Sequence, residues 1–249
     1  KGQKIGGHLM GDNTYILAWT TTPWTLPGNV ALAVGKDIDY SLVKIDKDYL
    51  LVASELSEKV LGTTETVSQY KGSDLIGLSY EPLFEIKELQ SDKSYKIYDA
   101  AFVSTTDGTG VVHTAVMYGE DDYNLGTQLE LPKFHTVNEL GKFVGVSSEL
   151  DGKYVKAKET EDIIIQYLTD HHNLLKTEDY EHEYPFCWRC DTPLLYYAKS
   201  SWFIKSTAVR DQMVAANNSV NWVPDHIKDG RMGQWLRDIK DWSISRERY

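Results

Sequence analysis

Four stretches of this chain hold side chains whose types and spacing can do chemistry. The first is Trp19-Thr20-Thr21-Thr22-Pro23-Trp24-Thr25-Leu26-Pro27-Gly28-Asn29. From residue 20 onward it offers four threonine hydroxyls, an indole and an amide side chain. Short donors and acceptors on a rigid turn suit a small polar ligand. The same residues also suit a threonine-rich turn whose hydroxyls satisfy their own backbone. The second stretch, Gly108-Thr109-Gly110-Val111-Val112-His113-Thr114-Ala115, gives a glycine turn and then a short apolar run that ends in an imidazole. The third, Gly119-Glu120-Asp121-Asp122-Tyr123, gathers three carboxylates. A carboxylate at a pocket rim makes a short charge-assisted bond to an ammonium group and so fixes what carries it. The same carboxylates suit a helix N-terminus. They are also metal-ligand types, but no further carboxylate-rich motif supports a divalent site. The fourth is Cys187-Trp188-Arg189-Cys190, which has zinc-knuckle spacing but supplies half of a tetrahedral site. His182 is near, and no fourth ligand is evident, so two free structural thiols are expected. No Ser-His-Asp set and no catalytic cysteine can be assembled from these residues.

The elements that must position them can be read from pattern. Thr14 to Trp19 and Val30 to Val34 read as strands, and Pro23 and Pro27-Gly28 force a loop between them. Tyr40–Ile45 and Tyr49–Ala53 form an expected β-hairpin with its turn at Asp46-Lys47-Asp48. Glu55 to Leu61 reads as a short helix with Ser54 as N-cap and Gly62 as its stop. Residues 71–84 read as a strand and turn that pack and do no chemistry. Tyr95 to Val103 reads as a strand, followed by a turn at 105–108. Asp121 to Glu130 opens as a helix, and 141–144 is a short strand or turn. Residues 158–172 fit a helix with Ile163, Ile164, Tyr167 and Leu168 on one side. From Tyr184 the character changes: the cysteine stretch, a strand-like 196–204, a helix starting near Ser206, and an aromatic-rich end. Strands are not regularly alternated with helices, which argues against a doubly wound sheet.

Composition sets the outer bounds. The chain has 249 residues, 41% hydrophobic and 25% charged, which is ordinary for a globular protein of one large domain or two small ones. No apolar run is long enough to span a membrane and no signal-peptide pattern opens the chain. It begins at Lys1 and stops at Tyr249 directly after a motif, so it reads as an excised piece. The net charge of −11 argues against a broad phosphate-neutralising surface. An RNA partner would be met locally, as a single-stranded end read by pocket shape and hydrogen bonds. Two cysteines argue against a disulfide framework and for a reducing, cytoplasmic compartment.

Taken together, the threonine loop and the His113–Tyr123 region resemble the editing domain (connective polypeptide 1) of isoleucyl-tRNA synthetases. Pro23-Trp24-Thr25-Leu26-Pro27 stands where valyl and leucyl relatives carry an arginine-proline-acid sequence, which looks isoleucyl. Lys71 to Phe84 also resembles the family, and the stretch from Tyr184 onward is similar to the segment by which branched-chain synthetases re-enter their aminoacylation domain. The two ATP-site motifs, His-Ile-Gly-His and Lys-Met-Ser-Lys-Ser, are absent. This stretch is therefore not expected to form aminoacyl-adenylate, and ATP binding would belong to the full-length enzyme.

The resemblance implies an α+β fold with a β-barrel-like editing domain and peripheral helices over residues 1–181. Residues 182–249 would be a CxxC hairpin and helical segment leading back to the aminoacylation domain. It implies post-transfer editing: hydrolysis of valine from the 3'-terminal adenosine of isoleucine tRNA, by a monomer that needs no cofactor for that reaction. Zinc would be held only if a site were completed outside this chain. Asp122 would hold the substrate's α-ammonium. His113, nine residues earlier as the family pattern requires, would bond the ribose or amino-acid end and help bar a larger side chain. Thr20, Thr21, Asp122 and His113 form the expected catalytic set; Thr22, Trp24, Asn29 and Asp122 would bind substrate. Trp24 either stacks on the ligand or anchors the loop, with anchoring preferred. Asn29 closes the loop. Two rival readings stand beside this one. A module that binds a tRNA 3' end without chemistry would have no hydrolysis to lose. A valyl- or leucyl-type editing domain is disfavoured by the Trp24 loop.

Overall fold

The computed structural model describes residues 2–5, 8–11 and 13–245. The last four residues of the aromatic-rich C-terminal stretch lie outside the described residues. The chain divides into two compact units, residues 1–198 and 199–249.

The first unit opens with a small ribbon, β1 (Lys4–Ile5) against β2 (His8–Leu9). Then follow β3 (Thr14–Ile16), a 3-10 turn at Pro23–Gly28, β4 (Ala31–Val34), β5 (Asp39–Ile45) and β6 (Asp48–Ala53). A 3-10 turn at Ser54–Leu56 leads into α1 (Ser57–Leu61), then β7 (Glu65–Lys71) and α2 (Gly72–Leu75). The unit continues through β8 (Lys96–Asp99), β9 (Val111–Thr114), α3 (Glu120–Leu129) and α4 (Lys158–Asp170). Two principal sheets result, one in the order β3-β6-β5-β7 and one in the order β8-β4-β9. The α+β class is as expected, but the strands stay in separate sheets and do not close into a barrel.

Local sequence explains most of these elements. The β5–β6 hairpin pairs Ile45 with Asp48, and Asp46 takes the left-handed conformation that Asp tolerates. All four residues of β4 are buried, which suits the middle strand of a sheet covered on both faces. The α1 helix ends at Gly62 with φ 74°, but Ser54 does not cap it: its hydroxyl bonds that of Ser41 at 2.8 Å. The α4 helix buries Thr160, Ile164 and Leu168 at four-residue spacing and packs on the Pro23–Gly28 turn. Phe84 stacks on Tyr167 at 4.6 Å, extending that contact.

Residues 71–84 differ from expectation. They begin with the single turn of α2, in which Asp74 accepts the Lys71 N–H at 3.0 Å, and only then run extended along β8. The cause is tertiary. A side chain at Gly72 would stand 2.1 Å from the Gly35 carbonyl oxygen, so the chain turns at the one residue that fits. Among the described residues two larger cores form beside two small clusters. One packs Tyr40, Leu42 and Leu51 of the four-stranded sheet with Ile97 of β8; the other packs Trp24, Tyr118, Phe143 and Ile164 under the threonine loop.

The second unit has a ribbon of β10 (Phe203–Ile204) and β11 (Trp242–Ser243), with α5 (Arg210–Ser219) and α6 (Gly233–Arg237) between them. Only residues 203–204 of the strand-like 196–204 pair. A 3-10 turn at Ser206–Val209 precedes α5, and Asp241 accepts from both the N–H and the hydroxyl of Thr207. Among the described residues no helix is long and apolar enough to cross a membrane.

Candidate active site

The site is assembled by β4 and β9. They pair antiparallel with Leu32 opposite His113 and Ala31 opposite Thr114. Val30 donates to the Thr114 carbonyl at 3.0 Å, which brings the end of the threonine loop against the end of β9. The two motifs, far apart in sequence, therefore meet because their strands are neighbours.

Within the loop the hydroxyls form a chain. Thr20 Oγ1 accepts the Thr22 N–H at 3.0 Å and lies 3.3 Å from Thr22 Oγ1. Thr25 Oγ1 donates to the Thr22 carbonyl at 2.9 Å and lies 3.0 Å from His113 Nε2. Both of those bonds form together only if Nε2 carries the imidazole proton and donates to Thr25. The other ring nitrogen, Nδ1, is then an acceptor, and it is buried without a partner among the described residues. Burial depresses the His113 pKa to about 4, so the ring is neutral at physiological pH.

Asp122 sits in the first turn of α3. Its Oδ2 accepts the Ala115 N–H at 3.1 Å, so the carboxylate is tied to the residue two beyond His113 on the same chain end. Its pKa is raised to about 6, chiefly by burial and in smaller part by Asp121, against the lowering effect of the Ala115 bond. Asp121 and Glu120 are exposed.

A cavity of about 1020 Å³ opens beside these groups, within the first unit. Thr20, Thr21, Asn29 and His113 line it; Thr22, Trp24 and Asp122 do not. Trp24 is turned into the core, edge-on to Tyr118 at 5.2 Å, with Lys156 5.6 Å over its ring. Asn29 is buried, and its side chain donates to the Ala31 carbonyl and accepts from Tyr80. Sequence reasoning did not single out Thr25 as the partner of His113, nor Tyr80. The repeated threonines were a signal for the first; the second gave none, because residues 71–84 read as packing.

Cys187 and Cys190 lie on a tight hairpin in which the Cys187 N–H reaches the Thr192 carbonyl and the Asp191 N–H reaches the Cys187 carbonyl, both at 2.9 Å. Both are free thiols, and hydrogen bonds from Thr192 and Cys187 lower the Cys190 pKa. His182 is turned to its neighbouring carbonyl at Glu183. Among the described residues no three potential metal ligands cluster.

His113 and Asp122 have opposite linkage. His113 takes a proton more readily unfolded than folded, so its contribution is present above pH 6.5 and lost as the pH falls toward 4. Asp122 holds its proton more tightly when folded, so its contribution is present below pH 3.8 and lost as the pH rises through about 6. At about 1.4 kcal/mol per pH unit, each term reaches at most about 3 kcal/mol, and they offset over the same window. His113→Gln is therefore expected to gain stability on acidification from pH 6.5 to 4.5, relative to the unsubstituted chain, in thermal melts at fixed ionic strength. Parallel melting curves for the two would refute the buried neutral imidazole.

The sequence model of tRNA synthetases class I (I, L, M and V) matches residues 24–249. The chain belongs to that family. Isoleucine–tRNA ligase of Clostridium novyi is 47% identical over 96% of this chain and 23% of its own length. That of Clostridium acetobutylicum is 45% identical over 96% and 23%. That of Bacillus thuringiensis strain Al Hakam gives the same three figures, 45%, 96% and 23%. This synthetase-family chain thus spans about a quarter of the curated relatives it matches, as a domain within a longer polypeptide would, and the isoleucyl character read from the Trp24 loop agrees with them. The crystal structure of GlLeuRS-CP1 matches with a TM-score of 0.52 at 16% identity, over 69% of this chain and 87% of its own, which is a likeness of fold.

Proposed function

We propose that this chain carries the hydrolytic editing site of an isoleucyl-tRNA synthetase and removes valine from the 3'-terminal adenosine of isoleucine tRNA. The observation that carries this reading is the convergence of Thr20, Thr21, Asn29 and His113 on the wall of one cavity, with Thr22 and Thr25 linking Thr20 to His113 behind it and Asp122 bonded to the Ala115 N–H two residues beyond His113. Isoleucine ligase relatives support it. Such an enzyme faces a fixed limit: one methylene is worth about 1–3 kcal/mol, and valine against isoleucine is the standard case of it. A second site that admits the smaller product and hydrolyses it removes the limit.

In this reading Asp122 pairs with the α-ammonium of the ester, and that cation restores the carboxylate its ionised form. Water attacks the ester carbonyl, the carbon–oxygen bond to the ribose breaks, and the products are valine and the free ribose hydroxyl. Thr20 and Thr21 hold the water or the carbonyl end, and developing negative charge is met by local donors. Thr22 acts through Thr25, and Trp24 anchors the loop. His113 presents Nδ1 as an acceptor for a ribose hydroxyl. Residues 1–181 carry the hydrolytic site, and 182–249 lead back toward the aminoacylation domain of the same cytoplasmic, monomeric enzyme. Cys187 and Cys190 are free thiols that would hold zinc only if a site were completed by ligands outside this chain; the hydrolysis itself uses no cofactor.

Binding of a non-hydrolysable valine–adenosine ester analogue tests the site. The analogue is expected between residues 19–29 and 113–122, with affinity falling roughly tenfold per pH unit below about 6 as Asp122 protonates. Adenosine bound elsewhere, or an affinity flat to pH 4.5, would contradict it. Activity toward whole tRNA is expected to be weak for the 249-residue chain alone, because its charge of −11 gives little long-range attraction for RNA. Turnover by that chain equal to the full-length enzyme's, at low micromolar tRNA, would count against this.

A further inference from the structure

The segment 71–84 resembled packing, but it delivers one polar group to the site. Gly77 and Tyr80 donate to the Ile97 and Tyr95 carbonyls at 2.9 Å, and Ile97 donates back to Leu78 at 2.9 Å, so the segment is fixed along β8. Gln3 clamps its other side, bonding both the N–H and the carbonyl of Ser79 at 2.8 Å. From this rail the Tyr80 hydroxyl reaches Asn29 Oδ1 at 2.5 Å, and Tyr80 lines the same cavity as Asn29. Tyr95 closes the triangle, because its N–H bonds the Val30 carbonyl at 2.7 Å.

Two hydrogen bonds fix the Asn29 side chain. Oδ1 accepts from Tyr80, and Nδ2 spends one N–H on the Ala31 carbonyl at 2.9 Å. The amide flip is therefore fixed, and the remaining side-chain donor is the second Nδ2 hydrogen. Burial pushes the Tyr80 phenol above its ordinary range, so it stays a neutral donor wherever the protein is folded. We propose that Tyr80 is a positioning residue: it fixes the Asn29 amide so that the cavity meets an N–H donor, suited to a ligand oxygen such as the ester carbonyl or the attacking water.

This rests on the hydrolytic reading above, and the test separates the two. Deacylation of valyl-tRNA is measured with the full-length enzyme carrying Tyr80→Phe, Asn29→Ala and both. Tyr80→Phe is expected to lower kcat about 10-fold with KM little changed, and to add nothing in the Asn29→Ala background. Tyr70→Phe is the control, because it removes a buried phenol hydroxyl that has no partner among the described residues and lies off the cavity; it should leave kcat unchanged. Wild-type kcat in Tyr80→Phe, a loss that multiplies with that of Asn29→Ala, or an equal loss in Tyr70→Phe would overturn the positioning role while leaving hydrolysis intact. Absence of deacylation by the unsubstituted enzyme would overturn the hydrolytic reading and this proposal with it.

Discussion

Asp122→Asn in the full-length enzyme is expected to lose between roughly 30-fold and several-thousand-fold of its valyl-tRNA deacylation, and to melt at a higher temperature than the unsubstituted protein at pH 7.5. The activity loss follows from leaving a partly buried ammonium without its counter-charge, which costs on the order of 2–5 kcal/mol. The stability gain follows from the raised pKa. Above about pH 6 the folded protein holds a carboxylate that burial disfavours. An amide keeps the acceptor for the Ala115 N–H and removes the charge. The gain is up to about 3 kcal/mol at pH 7.5 and vanishes below pH 4, where the acid is protonated in both states. Function bought at the expense of stability is the expected signature of a site residue. Asp121→Ala should cost little activity, since that side chain is exposed. A lower melting temperature for Asp122→Asn, or a larger activity loss from Asp121→Ala, would show that Asp122 is not the carboxylate that meets the ammonium.

Gly110→Ala is expected to cost about 2–5 kcal/mol of stability in chemical unfolding. Gly110 has φ 72°, a conformation worth roughly 1–2 kcal/mol against an L side chain. Its added Cβ would stand 2.3 Å from the Ala53 Cβ, which adds overpacking of about 1–3 kcal/mol. The Tyr40 hydroxyl also donates to the Gly110 carbonyl at 2.7 Å, so the backbone cannot shift freely. The glycine turn thus fixes the start of β9, the strand that carries His113. An unchanged unfolding midpoint would show that the turn is slack.

What the sequence made legible was what short-range chemistry decides. The 40–53 hairpin, the loop forced by Pro23 and Pro27, and the α4 stripe of Ile164 and Leu168 all follow from turn residues and periodicity. The β7 strand was not legible, because Tyr70 is its single buried residue and its other side chains face outward or lie half-covered. The α2 turn was not legible because the contact that selects it, Gly72 against Gly35, is tertiary. In the site, Asp122, His113 and the threonines stood out by type and by family resemblance. The bonds that organise them did not: Thr25 meets His113 across 88 residues, and Tyr80 meets Asn29 across 51. Trp24 packs edge-on to Tyr118 beneath the loop and does not line the cavity.

Selective ester hydrolysis is read most directly from the release of two amino acids. The full-length enzyme containing this chain is mixed with isoleucine tRNA charged with valine or with isoleucine, and release of each amino acid is followed. The proposed site predicts rapid loss of valine, retention of isoleucine, and loss of the valine activity with Asp122→Asn. Equal release of both amino acids, release of neither, or valine release that Asp122→Asn leaves untouched would contradict it.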